Sequence, residues 1–269
     1  MSDPRIFAIL NVTPDSFSDG GQFANAEEAV ARGIRLAEQG ADIIDVGGES
    51  TRPGAERISV DEEQERVLPV VRGLVAARIP VSVDTMNAAT ALAAAEAGAS
   101  VINDVSGGLA DPGMYRAVAS TGLLYVAMHW RGHSSTMNDL ASYGDVVADV
   151  RSELEARLAE MIVSGVSTDR VILDPGLGFA KNAEHNWALL SRLDALASLG
   201  QPLLVGASRK RFLADLLPEG APVADRDLPT AVVSALAAQA GVWALRVHDI
   251  TSTRAALGVW TAWQNGRKP

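Results

Sequence analysis

Chemically capable side chains stand in this chain wherever a short apolar run breaks off. Asn11 ends one run, Asp84 another, Asn103 with Asp104 a third and Asp174 a fourth, while Arg246, His248 and Asp249 close the last. Polar stretches follow the others: "GGESTRPGA" after "DIIDV", "HWRG" after "LLYVAM" and "SRKRF" after "PLLVGA". A lone Asp at such a place is ordinarily a cap or turn residue. So many run ends bearing carboxylate, carboxamide or cationic groups exceed what turns need. A buried polar group without a partner costs roughly 1–3 kcal/mol, so the set calls for a ligand or for internal pairing.

By charge the set divides in two. Arg52, Lys210, Arg211, Arg246 and His248 form a cationic group suited to phosphate or pyrophosphate. "SRKRFLADLL" reads as a short helix from Ser208, whose N-terminal N–H groups would add to that site. Asp84, Asn103 and Asp174 form the second group. Two carboxylates and a carboxamide can pair with the adjacent donors and acceptors of a planar heterocycle. A metal triad is the alternative, disfavoured by the lack of histidine. Met128 and Phe179 would flank a ring, or belong to the core. His129, His133 and His185 are assigned no chemistry.

The elements that must position these groups repeat along the chain. Eight β-branched runs occupy 6–10, 42–46, 80–84, 100–104, 123–128, 171–174, 202–207 and 244–248. Most are apolar in succession, as parallel strands covered on both faces are. Ala-, Leu- and Glu-rich stretches of helical spacing separate them, most clearly over 143–163, and glycine or proline marks the returns. Eight βα units with short returns predict an α/β fold, a (β/α)8 barrel, with residues 1–269 forming one domain. An open doubly wound sheet is the alternative, but no G-x-G-x-x-G follows the first run. In a barrel the chemistry sits at the C-terminal strand ends. Alternation then turns Ser82, Asp84, Arg246 and His248 toward the axis, and Val81, Val83, Leu245 and Val247 toward the helices.

Composition removes several other classes. With 23 basic against 33 acidic residues the chain carries a net charge of −10, opposite to that of a general nucleic-acid or anionic-membrane binder. It has no cysteine, which excludes disulfides, thiolate catalysis and Cys-ligated metals. Neither a signal peptide nor a membrane-spanning apolar run is evident, so a cytoplasmic location is expected.

The stretches "NVTPDSFSDGG", "DVGGESTRPGA", "SVDT", "INDVSGG", "MHWRG", "DPGLGFAKN", "VGASRKRFL" and "RVHDI" follow one another from residue 11 to residue 250. Together they resemble the dihydropteroate synthases, the actinobacterial members most of all through "MHWRG" and "HNW". The resemblance implies a barrel that condenses 6-hydroxymethyl-7,8-dihydropterin pyrophosphate with p-aminobenzoate, giving 7,8-dihydropteroate and pyrophosphate, with Mg²⁺ required. It implies that Asp84, Asn103, Asp174 and Lys210 hold the pterin, and that Thr51, Arg246 and His248 hold the pyrophosphate. Asn11 would ligate Mg²⁺, with Asp19 ordering the same loop; Asp84, Lys210, Asn11 and Asp19 form the implied catalytic set. Phe17, Arg52 and Pro53 would surround the p-aminobenzoate. Several relatives have Ser after the "SRK" lysine where this chain has Arg211, so backbone N–H groups or that guanidinium would take the aminobenzoate carboxylate. Residues 12–21 are expected to act as a lid. A homodimer is implied, and the last helix, with Trp260 and Trp263, either offers an apolar patch for it or packs into the core. A catalytically silent paralogue would have lost parts of these motifs, and a pterin-dependent methyltransferase domain would lack the basic cluster.

Overall fold

The computed structural model describes residues 3–13, 22–49, 57–133 and 137–266. Eight strands form one parallel sheet: β1 (Arg5–Asn11), β2 (Ile43–Gly47), β3 (Val81–Asp84), β4 (Val101–Asp104), β5 (Leu124–Met128), β6 (Val171–Asp174), β7 (Leu204–Val205) and β8 (Ala244–Val247). Their order is β6-β5-β4-β3-β2-β1-β8-β7. The two ends meet through a Leu173–Leu203 bridge, where the Leu173 N–H donates to Pro202 O at 2.9 Å. The sheet is therefore a barrel, closed most thinly between β6 and β7.

Around it lie α1 (Gln22–Glu38), α2 (Val60–Ala76), α3 (Ala88–Glu96), α4 (Met114–Thr121), α5 (Val146–Val163), α6 (Ala183–Ser191), α7 (Leu193–Ala197), α8 (Asp227–Gln239) and α9 (Ile250–Asn265). The helix expected over 143–163 is α5. It starts at Val146 because Asp145 accepts from the Val147 N–H at 2.9 Å and takes the N-cap. Glycine stops α4: Gly122 takes φ 65 at its end, where a Cβ would be strained. Among the described residues no helix is long and apolar enough to cross a membrane.

Strand parity decides what each side chain meets. Ile6, Ala8 and Leu10 of β1, Ile44 and Val46 of β2, Val81 and Val83 of β3, Ile102 of β4, and Leu245 and Val247 of β8 pack with helix residues in the main core. The opposite parity points inward, and Phe7, Ile43, Val101, Val126, Ile172, Leu204 and Ala244 fill the barrel as a separate apolar cluster. Two residues further along each strand, the same inward parity carries Ile9, Asp45, Asp84, Asn103, Met128, Asp174 and Arg246. Burial thus seals the bottom of the barrel and leaves polar groups at its mouth.

One expected element is different. "SRKRFLADLL" is not a helix from Ser208 but a 3-10 helix over Arg211–Leu216, without a side-chain cap. Arg209 takes φ 57, which no continuing helix allows, and its guanidinium is drawn away to Asp227 through two 2.7 Å hydrogen bonds.

Candidate active site

Four inward-pointing groups from four strands form one network. Arg246 Nε donates to Asp45 Oδ2 and Nη2 to Asp84 Oδ2, both at 2.6 Å. Asn103 Nδ2 donates to the same Asp45 oxygen at 3.2 Å. Asp45 is fully buried and its Oδ1 lacks a hydrogen-bond partner among the described residues. Burial raises the Asp84 carboxyl to about 7, against the opposite pull of Arg246. The two groups separated by charge in the sequence therefore meet in space, because Arg246 of the first binds Asp84 of the second.

Across the mouth, Asp174 accepts from the Gly176 N–H through Oδ1 at 2.7 Å, and burial raises its pKa. A Cβ on Gly206 would stand 3.8 Å from Asp174 Oδ2 and 3.9 Å from Lys210 Nζ, so the missing side chain leaves both groups open to a common space. Lys210 donates to the Leu177 carbonyl and its ammonium lies 4.9 Å from the centre of the Phe179 ring. Desolvation lowers its pKa to about 8. An apolar wall adjoins these groups, with Met86, Val105 and Met128 at its centre and Ala110, Trp130 and Phe179 packed against them. Acceptors, donors and an apolar face converge on one opening, as a planar and polar heterocycle requires.

Asn11 ends β1 beside them. A Cβ on Gly47 would be 3.7 Å from Asn11 Oδ1 and 3.8 Å from Asp84 Oδ2. Among the described residues no group of three His, Cys, Asp or Glu is arranged to hold a metal. Asn11 supplies a single carboxamide oxygen, which suits an ion held mostly by substrate phosphates. His248 is oriented by Ser208, whose oxygen accepts from the His248 N–H at 3.1 Å and whose hydroxyl lies 2.9 Å from Nδ1. With Nδ1 as acceptor the ring proton sits on Nε2. Arg211 is exposed at the start of its 3-10 helix. Asp19, Phe17, Thr51, Arg52, Pro53 and most of the expected lid at 12–21 lie outside the described residues.

Known proteins resemble this chain along most of its length. The model of the family described as pterin binding enzyme matches residues 7–248. Dihydropteroate synthase of Mycobacterium leprae is 48% identical, over 96% of this chain and 93% of its own. The chain belongs to the dihydropteroate synthase family. A dihydropteroate synthase of Xanthomonas albilineans solved with 4-aminobenzoic acid superposes with a TM-score of 0.90 at 45% identity, covering 97% of this chain and 93% of that one. The same enzyme solved with 7,8-dihydropteroate gives a TM-score of 0.87 at 42% identity, covering 97% and 94%.

Within this dihydropteroate synthase family member, some strand-end groups serve the fold instead. Asp104 has the outward parity of β4 and accepts from the Ser106 N–H, Ser106 Oγ, the Gly108 N–H and the Tyr125 hydroxyl, each at 2.7 Å. Asp249 caps α9 through the Ser252 N–H at 3.1 Å. His185 completes a capping box with Asn182 at the start of α6. Buried Glu63 gathers Thr85, Asn87 and Thr90 at 3.0, 2.9 and 2.5 Å and fixes the chain leaving β3. Sequence reasoning missed Asp45, although its inward parity within "DIIDV" was a usable signal. It also missed Lys181, His129 and Glu153, whose meeting has no counterpart in the spacing.

Proposed function

We propose that this chain condenses 6-hydroxymethyl-7,8-dihydropterin pyrophosphate with p-aminobenzoate to give 7,8-dihydropteroate and pyrophosphate, as a transferase of folate synthesis. The observation that carries this reading is the convergence of Asp84, Asn103 and Asp174, from the ends of β3, β4 and β6, with Lys210 from the loop after β7, beside the apolar wall of Met128 and Phe179. In this reading the two carboxylates and Asn103 pair with the edge of the pterin, and Lys210 donates from the far side. Arg246 and His248, with Thr51, hold the pyrophosphate. Phe17, Arg52, Pro53 and Arg211 surround the p-aminobenzoate.

The bond to break lies between the pterin methylene and the pyrophosphate oxygen. Its cleavage leaves a delocalised cation on the pterin and negative charge on the leaving group. Asp84 stabilises the first, and Arg246 with the Nε2–H of His248 the second. The arylamine lone pair then forms the new C–N bond, its surplus N–H proton passes to the released pyrophosphate or to water, and no nucleophile from the protein is needed. Asn11, ordered by Asp19, would hold Mg²⁺, which when bound neutralises pyrophosphate charge.

We further propose that residues 1–269 form one pterin-binding domain that acts in the cytoplasm as a homodimer. Leu228, Val232 and Leu236 on α8 and Val259 and Trp263 on α9 are exposed, at 72%, 53%, 62%, 70% and 66%, along two helices that pack together. Trp260 belongs to the core instead. Val232→Lys should shift the sedimenting species from dimer to monomer. A monomeric parent protein would refute the dimer.

Pyrophosphate release tests the activity. It should require both substrates and Mg²⁺ and stop with EDTA. No release, with the pterin substrate still bound, would mean a silent paralogue.

A further inference from the structure

We propose that Lys181, held from outside the barrel by His129 and Glu153, is a positioning residue that shapes segment 175–182 so that it can hold the pterin. The inference rests on the functional reading above. That segment carries Phe179 and the Leu177 carbonyl, and its own backbone adds a turn hydrogen bond from the Phe179 N–H to Gly176 O at 3.1 Å. Gly176, Gly178 and Ala180 take φ values of 67, 76 and 49, and the last is not glycine. Such a path persists only where the surroundings over-determine it.

The Lys181 ammonium supplies the largest part of those surroundings. Buried at 9% exposure, it donates to Gly176 O and Phe179 O at 3.0 Å each and meets His129 Nδ1 at 2.9 Å. Three acceptors match the three donors of a charged lysine, whereas a neutral amine offers only two. Burial lowers the His129 pKa to about 4, so the ring is neutral and accepts at Nδ1 while Nε2 faces Glu153 Oε2 at 2.9 Å. Arg131 holds that carboxylate in turn, its Nε donating at 3.2 Å. Single ties add to the frame: Asp174 Oδ1 accepts from the Gly176 N–H and Asn186 Oδ1 from the Gly178 N–H, each at 2.7 Å, and the Tyr143 hydroxyl donates to Ala180 O at 3.0 Å.

The opposite side of the same segment faces Lys210. Leu177 O accepts from its ammonium, the Phe179 ring lies beneath it, and a Cβ on Gly178 would come within 3.1 Å of Lys210 Cδ. Two lysines thus grip one segment from its two sides. Lys210 borders the opening, while Lys181 lies behind and makes no contact there. Burial, with Lys210 and Arg131, lowers the Lys181 pKa to about 7, while Asp174 and Glu153 oppose them and the three acceptors around Nζ favour its ammonium form.

Lys181→Met keeps the length of the side chain and removes its donors. The pterin pyrophosphate Kd should rise about tenfold or more, while the KM for p-aminobenzoate stays within about twofold. Amide exchange over 175–182 should accelerate about tenfold, with β1–β5 retaining their protection. If that variant does not fold, Glu153→Gln, altered at the half-exposed outer end, should give the same local acceleration and a weakening of a few-fold. Unchanged pterin affinity, or weakened affinity with unchanged exchange in the segment, would overturn the inference. If the parent protein does not bind the pterin pyrophosphate, the functional reading fails, and the exchange rates alone decide whether Lys181 holds the segment.

Discussion

Arg246 Nη2 donates to Asp84 Oδ2 at 2.6 Å and joins β8 to β3, strands separated in the sheet by β1 and β2. With Nε on Asp45 at 2.6 Å, one guanidinium holds two inward-pointing carboxylates in place. A residue expected for pyrophosphate therefore also builds the floor beside it.

Removing that guanidinium leaves fully buried Asp45 without a cation. Arg246→Ala should cost about 3 kcal/mol or more of folding stability, measured by urea denaturation. Adding Asp45→Asn should recover part of the loss, since the isolated charge is the expensive group. Additive losses would show that the two residues do not act as a pair.

Asp174→Asn should leave the fold intact, because Oδ1 can still accept from the Gly176 N–H. The carboxylate charge facing Lys210 is lost, and pterin affinity should fall by roughly tenfold to a hundredfold. Calorimetric titration with the pterin pyrophosphate checks this. Unaltered affinity would remove Asp174 from the site.

Gly206→Ala separates folding from binding. The added methyl would make ordinary contacts at 3.8 Å from Asp174 Oδ2 and 3.9 Å from Lys210 Nζ. Unfolding free energy should change by less than about 1 kcal/mol. The methyl enters the space between two proposed pterin partners, so affinity should fall about tenfold. A variant binding as tightly as the parent would place the ring elsewhere.

Asp84 predicts a sign for the dependence of stability on pH. Its carboxyl is raised from 3.8 to about 7, chiefly by burial. Between these values the folded protein binds more protons than the unfolded chain. This contribution is complete below pH 3.8 and is lost as pH rises through about 7. Lys210, lowered from 10.5 to about 8, acts oppositely: its contribution is complete above 10.5 and is lost as pH falls through about 8. The unfolding free energy of the parent minus that of Asp84→Asn should therefore decline from about pH 4.5 to about 7.5. A flat or rising difference would refute the raised pKa.

The spacing and alternation of apolar residues by themselves determined the barrel and placed Asp84, Asn103, Asp174 and Arg246 at its mouth. This was legible because parity in a strand is local: inward and outward positions alternate whatever the rest of the chain does. The same rule separates adjacent Asn103 and Asp104, one at the opening and one among backbone donors. Only tertiary structure decided the partners. Asp45 and Arg246 are 201 residues apart, and Lys181 and His129 are 52 apart, so neither meeting appears in a window of sequence. The turn at 208–210 departs from the expected helix for a related reason. "SRKRF" has local helical promise, but the distant carboxylate of Asp227 captures Arg209 and holds it at a positive φ. Which polar groups remain for a ligand is settled by which ones the closed barrel has already paired, because an ion pair in a low-dielectric interior forms between whatever charges closure brings together.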